Sequence, residues 1–205
     1  MLIDFDGMAP QNIYHILTQT VIPRPVAWVL SENPDGDYNL APFSFFTPIT
    51  SNPPLLMFSV GKKPTDGAFK DTRVNIEQRK RFVVHIAHRE LASAMTETSR
   101  TMPHGESELV NTDLELTNFE GSELPRLKDC RVAMACELYD IKEIGPTPQT
   151  LVFGKILSVY VADEAARHDD KGRLVFDAAA IDPIGRLGGS EYVTFGEVLK
   201  IPRPA

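Results

Sequence analysis

Cysteine, tryptophan and long apolar runs are scarce in this sequence of 205 residues. There are two cysteines and one tryptophan. Five residues separate Cys130 from Cys136, a spacing typical of neither a CxxC redox pair nor a zinc knuckle. We therefore expect two buried free thiols. The longest apolar run, 26–30, has the length of a strand, whereas a membrane-spanning helix needs roughly 18 apolar residues.

Positive charge is also in deficit. The formal net charge is −7 and the pI is near 5.2. Binding to a nucleic-acid backbone requires clustered positive charge, so we expect no nucleic-acid partner. The first ten residues carry acidic groups where a signal peptide carries basic ones. The chain is therefore expected to be cytoplasmic, with no membrane partner. No GxGxxG sequence follows a strand, which argues against a Rossmann site.

The sequence contains 13 glycines and 16 prolines, and 42% of its residues are apolar. This composition favours one packed domain with many turns. A pass along the chain predicts a short helix or arm at 12–20, a loop at 47–54, and helices at 71–78 and 89–98. The predicted strands are 25–30, 38–46, 55–60, 81–87, 130–144 and 151–161. About six strands with few helices predict a mainly β protein, a barrel with peripheral α-helices.

The segment 39–48 reads NLAPFSFFTP. Small and polar residues alternate with three phenylalanines, and the prolines remove backbone donors at fixed points. Such a segment can line an apolar slot and offer backbone groups to the polar rim of a flat heteroaromatic ring, which is what a flavin requires. An edge strand with ordinary core aromatics is the alternative, and residue types alone favour it.

A second group of residues combines hydroxyls with positive charge. Ser59 and Gly61 end a strand and are followed by two lysines, and 70–75 reads KDTRVN. A helix starting at Asp71, with that residue as N-cap, would present backbone N–H groups to a phosphate. Asp71 itself would repel the phosphate, so a capping role or an orienting role toward Thr72 and Lys63 suits it better. A capped helix beside a solvated basic loop explains the pattern equally well.

The chain resembles the flavin reductase-like family with the FMN-binding split barrel. The resemblance rests on the combined motifs RPVAWV at 24–29, NLAPFS at 39–44, PPL at 53–55, KDTRVNI at 70–76 and GRLGGSEY at 185–192. It implies a single domain over 1–205 with a core at about 23–195. The fold it implies is a six-stranded Greek-key split β-barrel that forms a homodimer with FMN at the interface.

The resemblance also implies the residues that hold FMN. Ring contacts fall on Asn39, Ala41, Pro42, Ser44, Phe45, Phe46 and Thr47. Phosphate contacts fall on Ser59, Lys62, Lys63, Thr72 and Asn75. Arg186 and Tyr192 are expected to close over the site. The resemblance implies no particular catalytic side chain.

One departure from the family bears on activity. Many members carry a Gly-Asp-His group before the penultimate barrel strand, and its histidine is linked to nicotinamide binding. The corresponding stretch here, 147–151, reads TPQTL. The chain looks most like the flavoredoxin-like branch. We expect an FMN-binding oxidoreductase that is either NAD(P)H-linked, with NADH or NADPH as its reductant, or flavoredoxin-like, with a redox partner protein. The alternatives are a non-catalytic FMN carrier or electron shuttle, and a barrel that has lost flavin.

The histidines give weaker signals. His85 and His88 would lie on opposite faces of a strand, so no metal site is expected. His104 lies in a polar loop at 101–109, where solvation is the simpler interpretation and a lid over the flavin is the sharper one.

Overall fold

The computed structural model describes residues 1–146, 149–202 and 204. Its main sheet has seven strands, numbered along the chain: β1 Ala27–Glu32, β2 Tyr38–Phe43, β3 Phe46–Ser51, β4 Pro54–Val60, β5 Arg81–Ile86, β8 Val132–Ile144 and β9 Gln149–Val161. Three short ribbons accompany it: β6 Leu116–Thr117 with β7 Arg126–Leu127, β10 Ala166–His168 with β11 Leu174–Phe176, and β12 Gly185–Arg186 with β13 Tyr192–Val193.

The seven-stranded sheet runs in the order β2-β1-β5-β8-β9-β4-β3, and neighbouring strands are antiparallel. Its two edge strands, β2 and β3, are consecutive in the chain and joined only by Ser44 and Phe45. The sheet must therefore curl until its edges meet. The N–H group of Ser59 donates to the carbonyl of Phe45 over 2.9 Å where β4 passes this junction. The predicted mainly β split barrel is confirmed.

The predicted loop at 47–54 is wrong, because most of it forms β3 and gives the sheet its seventh strand. Proline is tolerated there because β3 is an edge strand that pairs only with β4. Pro48 lies opposite Leu56, and the register shifts between Pro48 and Thr50. Three prolines in eight residues predicted a loop, but a bulged edge strand accommodates them.

Two apolar clusters lie on the two faces of the sheet. Strand β1 is buried on both faces. On one face, Trp28 and Leu30 pack with Met95 of a helix into a cluster outside the barrel, called the outer cluster. Ala27 and Val29 face the barrel interior, where Phe58 and Phe82 meet edge to face with ring centroids 5.8 Å apart. Trp28 Nε1 donates to Thr98 Oγ1 over 2.9 Å. The continuous apolar run at 26–30 thus reflects burial on both faces.

The helices are peripheral, as predicted: α1 Pro10–Thr20, α2 Asp71–Arg79, α3 Ala92–Glu97 and α4 Ala178–Ile181. Among the described residues there are also three 3₁₀ turns, at Arg89–Leu91, Glu108–Asn111 and Asp163–Ala165. None of the helices in the described ranges combines the length and the apolar character needed to cross a membrane. Cys130 and Cys136 are buried free thiols, and burial raises the pKa of both.

Candidate functional site

Strand β2 forms one wall of a groove made of two adjoining cavities. The larger has a volume of about 410 Å³ and lies between β2, the end of α1 and the β12–β13 ribbon. The smaller, of about 60 Å³, lies between β2, the start of α2 and the loop that follows α3. Pro42 and Ser99 line both cavities. The groove is therefore continuous along β2.

The larger cavity mixes aromatic, hydroxyl and cationic side chains. Arg186 stacks on the ring of Tyr192 at 4.6 Å from its centroid, and the Tyr192 hydroxyl lies 3.1 Å from Thr96 Oγ1. Gly188 allows the ribbon to approach α1, because a Cβ on it would overlap Gln19. The described residues that line the cavity are Tyr14, His15, Thr18, Arg24, Val26, Pro42, Ser44, Thr96, Ser99, Arg186, Leu187, Gly189, Ser190 and Tyr192.

The smaller cavity contains most of the charge. Its described lining is Asn39, Ala41, Pro42, Lys63, Lys70, Asp71, Thr72, Thr98, Ser99, Arg100, Thr101, Met102 and Glu108. Three cationic side chains and two carboxylates thus face one space. A cavity this small has room for only about two water molecules, at roughly 30 Å³ each. It suits a single polar group of a ligand.

The prediction that Asp71 is the N-cap of α2 is wrong, because Asp71 is the first residue of the helix. Lys70 occupies the N-cap position and makes no side-chain capping bond. The Asp71 carboxylate instead pairs with Lys63 Nζ at 3.0 Å and with His104 Nδ1 at 2.7 Å, and accepts from the Gly105 N–H group at 3.3 Å. Burial alone would raise the pKa of Asp71, but these contacts outweigh it and the pKa lies below its usual value. The expected orienting contact with Lys63 is present.

Eight of the fourteen predicted FMN contacts line one or both cavities of the groove. They are Asn39, Ala41, Pro42, Ser44, Lys63, Thr72, Arg186 and Tyr192. The other six lie outside both linings. Lys62 turns onto the ring of Phe69, and Thr47 Oγ1 donates to the neighbouring carbonyl of Pro48. Phe45 is exposed beside the groove, and Phe46 packs at the barrel interior. Ser59 contributes its backbone to the β2–β3 junction, and Asn75 is buried behind Thr72.

Asn39 and Asn75 belong to a buried polar network beneath the smaller cavity. Asn39 Nδ2 donates to Thr72 Oγ1 at 2.9 Å and to Ser31 Oγ at 3.3 Å. Asn75 Nδ2 donates to Ser31 Oγ at 3.3 Å and to Asn33 Oδ1 at 2.8 Å. Asn39 therefore positions the hydroxyl of Thr72 in the first turn of α2, and Asn75 ties the same helix to Ser31 and Asn33.

Glu108 is a charged wall residue that sequence reasoning missed. Its carboxylate accepts from the Leu40 N–H group at 2.9 Å and its side chain is buried. Burial raises the pKa of Glu108 to about 7, and the nearby Asp71 charge adds to the shift. Burial also lowers the pKa of the neighbouring Lys70. Glu108 lies in a polar loop in the sequence, and no local pattern marks it as buried.

Arg24 belongs to the RPVAWV motif, which assigns it no role in the site, yet it lines the larger cavity. Its guanidinium donates to the carbonyls of Thr18, Val21 and Leu187 at 2.5, 2.8 and 2.8 Å. It thereby ties the end of α1 to the β12–β13 ribbon. Burial, followed by the nearby charge of Arg186, lowers the pKa of Arg24 below its usual value.

His85 and His104 lie in contrasting environments, one buried and one exposed. His85 is fully buried in the outer cluster's floor, where its Nε2 accepts from the Leu127 N–H group at 2.9 Å and its Nδ1 lies 3.2 Å from the Trp28 carbonyl. This pattern fixes a neutral ring with the proton on Nδ1, and burial lowers the pKa of His85 to about 4. His104, by contrast, is exposed but bound to Asp71 at the rim of the smaller cavity.

Comparison with known proteins agrees with the fold. The family model described as "Flavin reductase like domain" matches residues 19–184. A split barrel with a groove along one edge strand is the class that the fold defines, and the chain belongs to the flavin reductase-like family. The sequence-based identification of the family is confirmed.

Several solved structures are similar over nearly the whole chain. Component B of nitrilotriacetate monooxygenase from Bacillus cereus is 33% identical, with a TM-score of 0.88 and 98% of each chain covered. The 2-nitrobenzoate 2-nitroreductase of Pseudomonas fluorescens is 30% identical, with a TM-score of 0.87 and coverage of 100% of this chain and 96% of that one. The flavoredoxin of Desulfovibrio vulgaris (Miyazaki F) is 21% identical with a TM-score of 0.71, covering 88% and 91%, and shares the fold.

Proposed function

We propose that this protein is a flavin-dependent oxidoreductase that binds FMN along β2, with its ring in the larger cavity and its phosphate in the smaller one. The observation that carries the proposal is the continuity of the two cavities through Pro42 and Ser99. The larger volume, about 410 Å³, falls in the range of about 300–1,000 Å³ typical of small-molecule sites. The smaller volume fits only one compact group.

The donor set fits FMN. In the larger cavity, Val26 and Pro42 offer apolar surface and Ser44 offers a hydroxyl to the rim of the ring. In the smaller cavity, Lys63, Lys70 and Arg100 face the phosphate position, with Thr72 as a neutral donor. Asp71 is already paired with Lys63 and His104. A pKa of about 7 keeps part of the Glu108 population neutral near pH 7. The cationic groups then prevail over the two carboxylates.

The chain's own residues bind and orient the cofactor. Asn39 fixes the Thr72 hydroxyl through a 2.9 Å hydrogen bond, and β2 holds Ala41, Pro42 and Ser44 in one rigid wall. Bound FMN would supply hydride or electron transfer, with NADH or NADPH as reductant. The two solved structures at 33% and 30% identity are a monooxygenase component and a nitroreductase, which supports the oxidoreductase class.

We also propose that two copies of the chain assemble beside the groove. Large apolar side chains on α1 and around β3 are exposed, among them Tyr14, Leu17, Phe45 and Ile49. Tyr14 and Phe45 lie near each other, with ring centroids 6.2 Å apart. Because both flank the larger cavity, a second copy packed here would cover the flavin ring as well as this apolar surface.

A non-catalytic FMN carrier is the second candidate. It is favoured by the absence of histidine from the described residues 149–151, where many family members place the nicotinamide-linked histidine. Gln149 occupies the start of β9, and a Cβ on Gly61 would lie 3.3 Å from its Oε1. Thr147 and Pro148, which belong to the same stretch, lie outside the described residues.

The test is a visible spectrum of the purified protein before and after addition of FMN, followed by NADH and NADPH oxidation assays. Bound flavin with turnover supports the oxidoreductase. Bound flavin that dithionite reduces, without oxidation of either nicotinamide, supports the carrier. A protein that takes up neither FMN nor riboflavin would overturn the proposal. Tighter binding of FMN than of riboflavin, lost in Lys70→Met, would support a phosphate in the smaller cavity.

A further inference from the structure

Two arginines share the larger cavity without a carboxylate to neutralise them. Arg24 and Arg186 both line it, and the lining residues that the structure describes include neither aspartate nor glutamate. Neither guanidinium lies within 4.0 Å of a carboxylate of the described chain. In a protein with a net charge of −7, this leaves a cationic cavity in an acidic surrounding.

The Arg24 guanidinium is fixed in place. It is 6% exposed and its bonds go to backbone carbonyls and, at 3.5 Å, to the hydroxyl of Ser44. All these acceptors are neutral, so the positive charge stays uncompensated in the cavity wall. Burial and the charge of Arg186 together lower the pKa of Arg24. An anion in the cavity would remove this repulsion.

Arg186 is better placed to contact a ligand. It is partly exposed, and its guanidinium carbon lies over the ring of Tyr192, 4.6 Å from the ring centroid. Its Nη2 donates to the carbonyl of Gly189. Nε and Nη1 make no hydrogen bond with a described residue, so an edge of the fork remains free. A guanidinium fork of this kind matches the geometry of carboxylate and phosphate oxygens.

Oxidised FMN does not account for this charge. The proposed function assigns the phosphate of FMN to the smaller cavity, where Lys63, Lys70 and Arg100 lie. The isoalloxazine ring is uncharged in its oxidised form and needs no arginine pair. Tyr14 and Tyr192 add aromatic surface to the same cavity, which favours a planar organic ligand.

We propose that Arg186, supported by the fixed charge of Arg24, binds the oxyanion of an organic substrate or reductant that enters the larger cavity beside the flavin. The ligand class is a small organic anion that carries a carboxylate or a phosphate. This inference rests on the proposed function for the position of the flavin, but the oxyanion site itself is defined by the two arginines.

Benzoate and its uncharged isostere benzamide test the site. On the FMN-loaded protein, benzoate is expected to perturb the flavin absorbance and to bind more tightly than benzamide. Arg186→Gln should weaken benzoate roughly tenfold to a hundredfold, as expected for loss of a charged hydrogen bond, and leave benzamide unchanged. Arg167→Gln is the matched control, because Arg167 is exposed on β10 and lies in neither cavity.

Further measurements distinguish whether the bound oxyanion belongs to an organic substrate or to the reductant. If NADP⁺ and NAD⁺ lose affinity in Arg186→Gln while benzoate does not bind the wild type, the oxyanion is a phosphate of the reductant. Equal binding of all anions to wild type and Arg186→Gln overturns the site. So does a variant that loses its preference for FMN over riboflavin, because Arg186 would then hold the flavin phosphate. Calorimetry with benzoate on flavin-free protein tests the arginines even if FMN does not bind.

Discussion

Gly154 on β9 leaves the space that the ring of Phe82 on β5 fills. A Cβ at position 154 would lie 3.2 Å from Phe82 Cε2 and closer still to Cζ, and 3.3 Å from Leu56 Cδ1. Phe82 is 1% exposed and belongs to the barrel interior. One missing side chain on one strand therefore sets the position of an aromatic ring that fills the barrel.

Gly154→Ala is expected to lower the free energy of unfolding by about 1–3 kcal/mol, because an overpacked core must shift its side chains. Urea denaturation followed by tryptophan fluorescence would measure the loss. Gly196→Ala is the control, since a Cβ there meets no atom within 4 Å and its φ is not positive. Equal stability of Gly154→Ala and wild type would contradict the packing described here.

Glu108 should make stability depend on pH. Its folded pKa of about 7 lies above the ordinary value of 4.5, so the folded state binds the proton more tightly than the unfolded state. This contribution is complete below about pH 4.5 and is lost as the pH rises through 7. Replacing the carboxyl by an amide of the same shape removes it.

Relative to Glu108→Gln, wild type is therefore expected to lose up to a few kcal/mol of stability between pH 5 and pH 8. Urea titrations at both pH values would measure the difference, and Glu120→Gln, at an exposed position, provides the control. Parallel pH profiles for wild type and Glu108→Gln would show that Glu108 does not titrate in this range.

The Lys63–Asp71 pair is expected to behave as a buried ion pair, since the side chains are 11% and 6% exposed. Asp71→Asn should cost about 3 kcal/mol at pH 7, because it leaves a buried ammonium without its partner. The pKa of Asp71 is lowered in the fold, so the advantage of wild type is present above the ordinary aspartate pKa and disappears as the pH falls through the lowered one.

Chemical denaturation of the single variants Lys63→Met and Asp71→Asn and of the double variant would give the coupling free energy of the pair. The double variant should be more stable than Asp71→Asn, since it removes the stranded charge. A double variant as unstable as the sum of the two single losses would mean that the residues act independently.

The proposed dimer predicts that Ile49→Glu yields a monomer, because a buried unpaired carboxylate is costly at an apolar interface. Light scattering coupled to size-exclusion chromatography would report the mass. Leu174→Glu on β11 is a matched control, as Leu174 and Ile49 are exposed to similar degrees, 56% and 48%. A dimer that survives Ile49→Glu, or a monomeric wild type, would place the interface elsewhere or remove it.

Strands with an apolar alternation could be predicted from the sequence, and so could the hairpin of β8 and β9. These elements form where local pattern and burial agree. The segment 46–51 could not, because its prolines favour a loop and only its position at the sheet edge makes them compatible with a strand. Capping by Asp71 was equally a local prediction, and tertiary partners at Lys63 and His104 overrode it.

The candidate site could be predicted only where it follows one strand. The wall residues Ala41, Pro42 and Ser44 are close in sequence and recognisable as a motif. Arg24 and Glu108 reach the groove through the fold, from a segment before β1 and from a polar loop after α3. No spacing rule connects them to β2. Long-range placement of charge is therefore the part that required the three-dimensional structure.

The hydrogen bond between the Leu40 N–H group and Glu108 has a further consequence at the edge of the sheet. N–H groups two residues apart on a strand point to the same side, so the donors of residues 40 and 42 both face away from β1. Glu108 occupies the first, and Pro42 has none to offer. An extended peptide therefore finds no donor at these two positions with which to add itself as another strand. The middle of β2 is thus a poor template for β-augmentation, while the groove beside it admits small molecules.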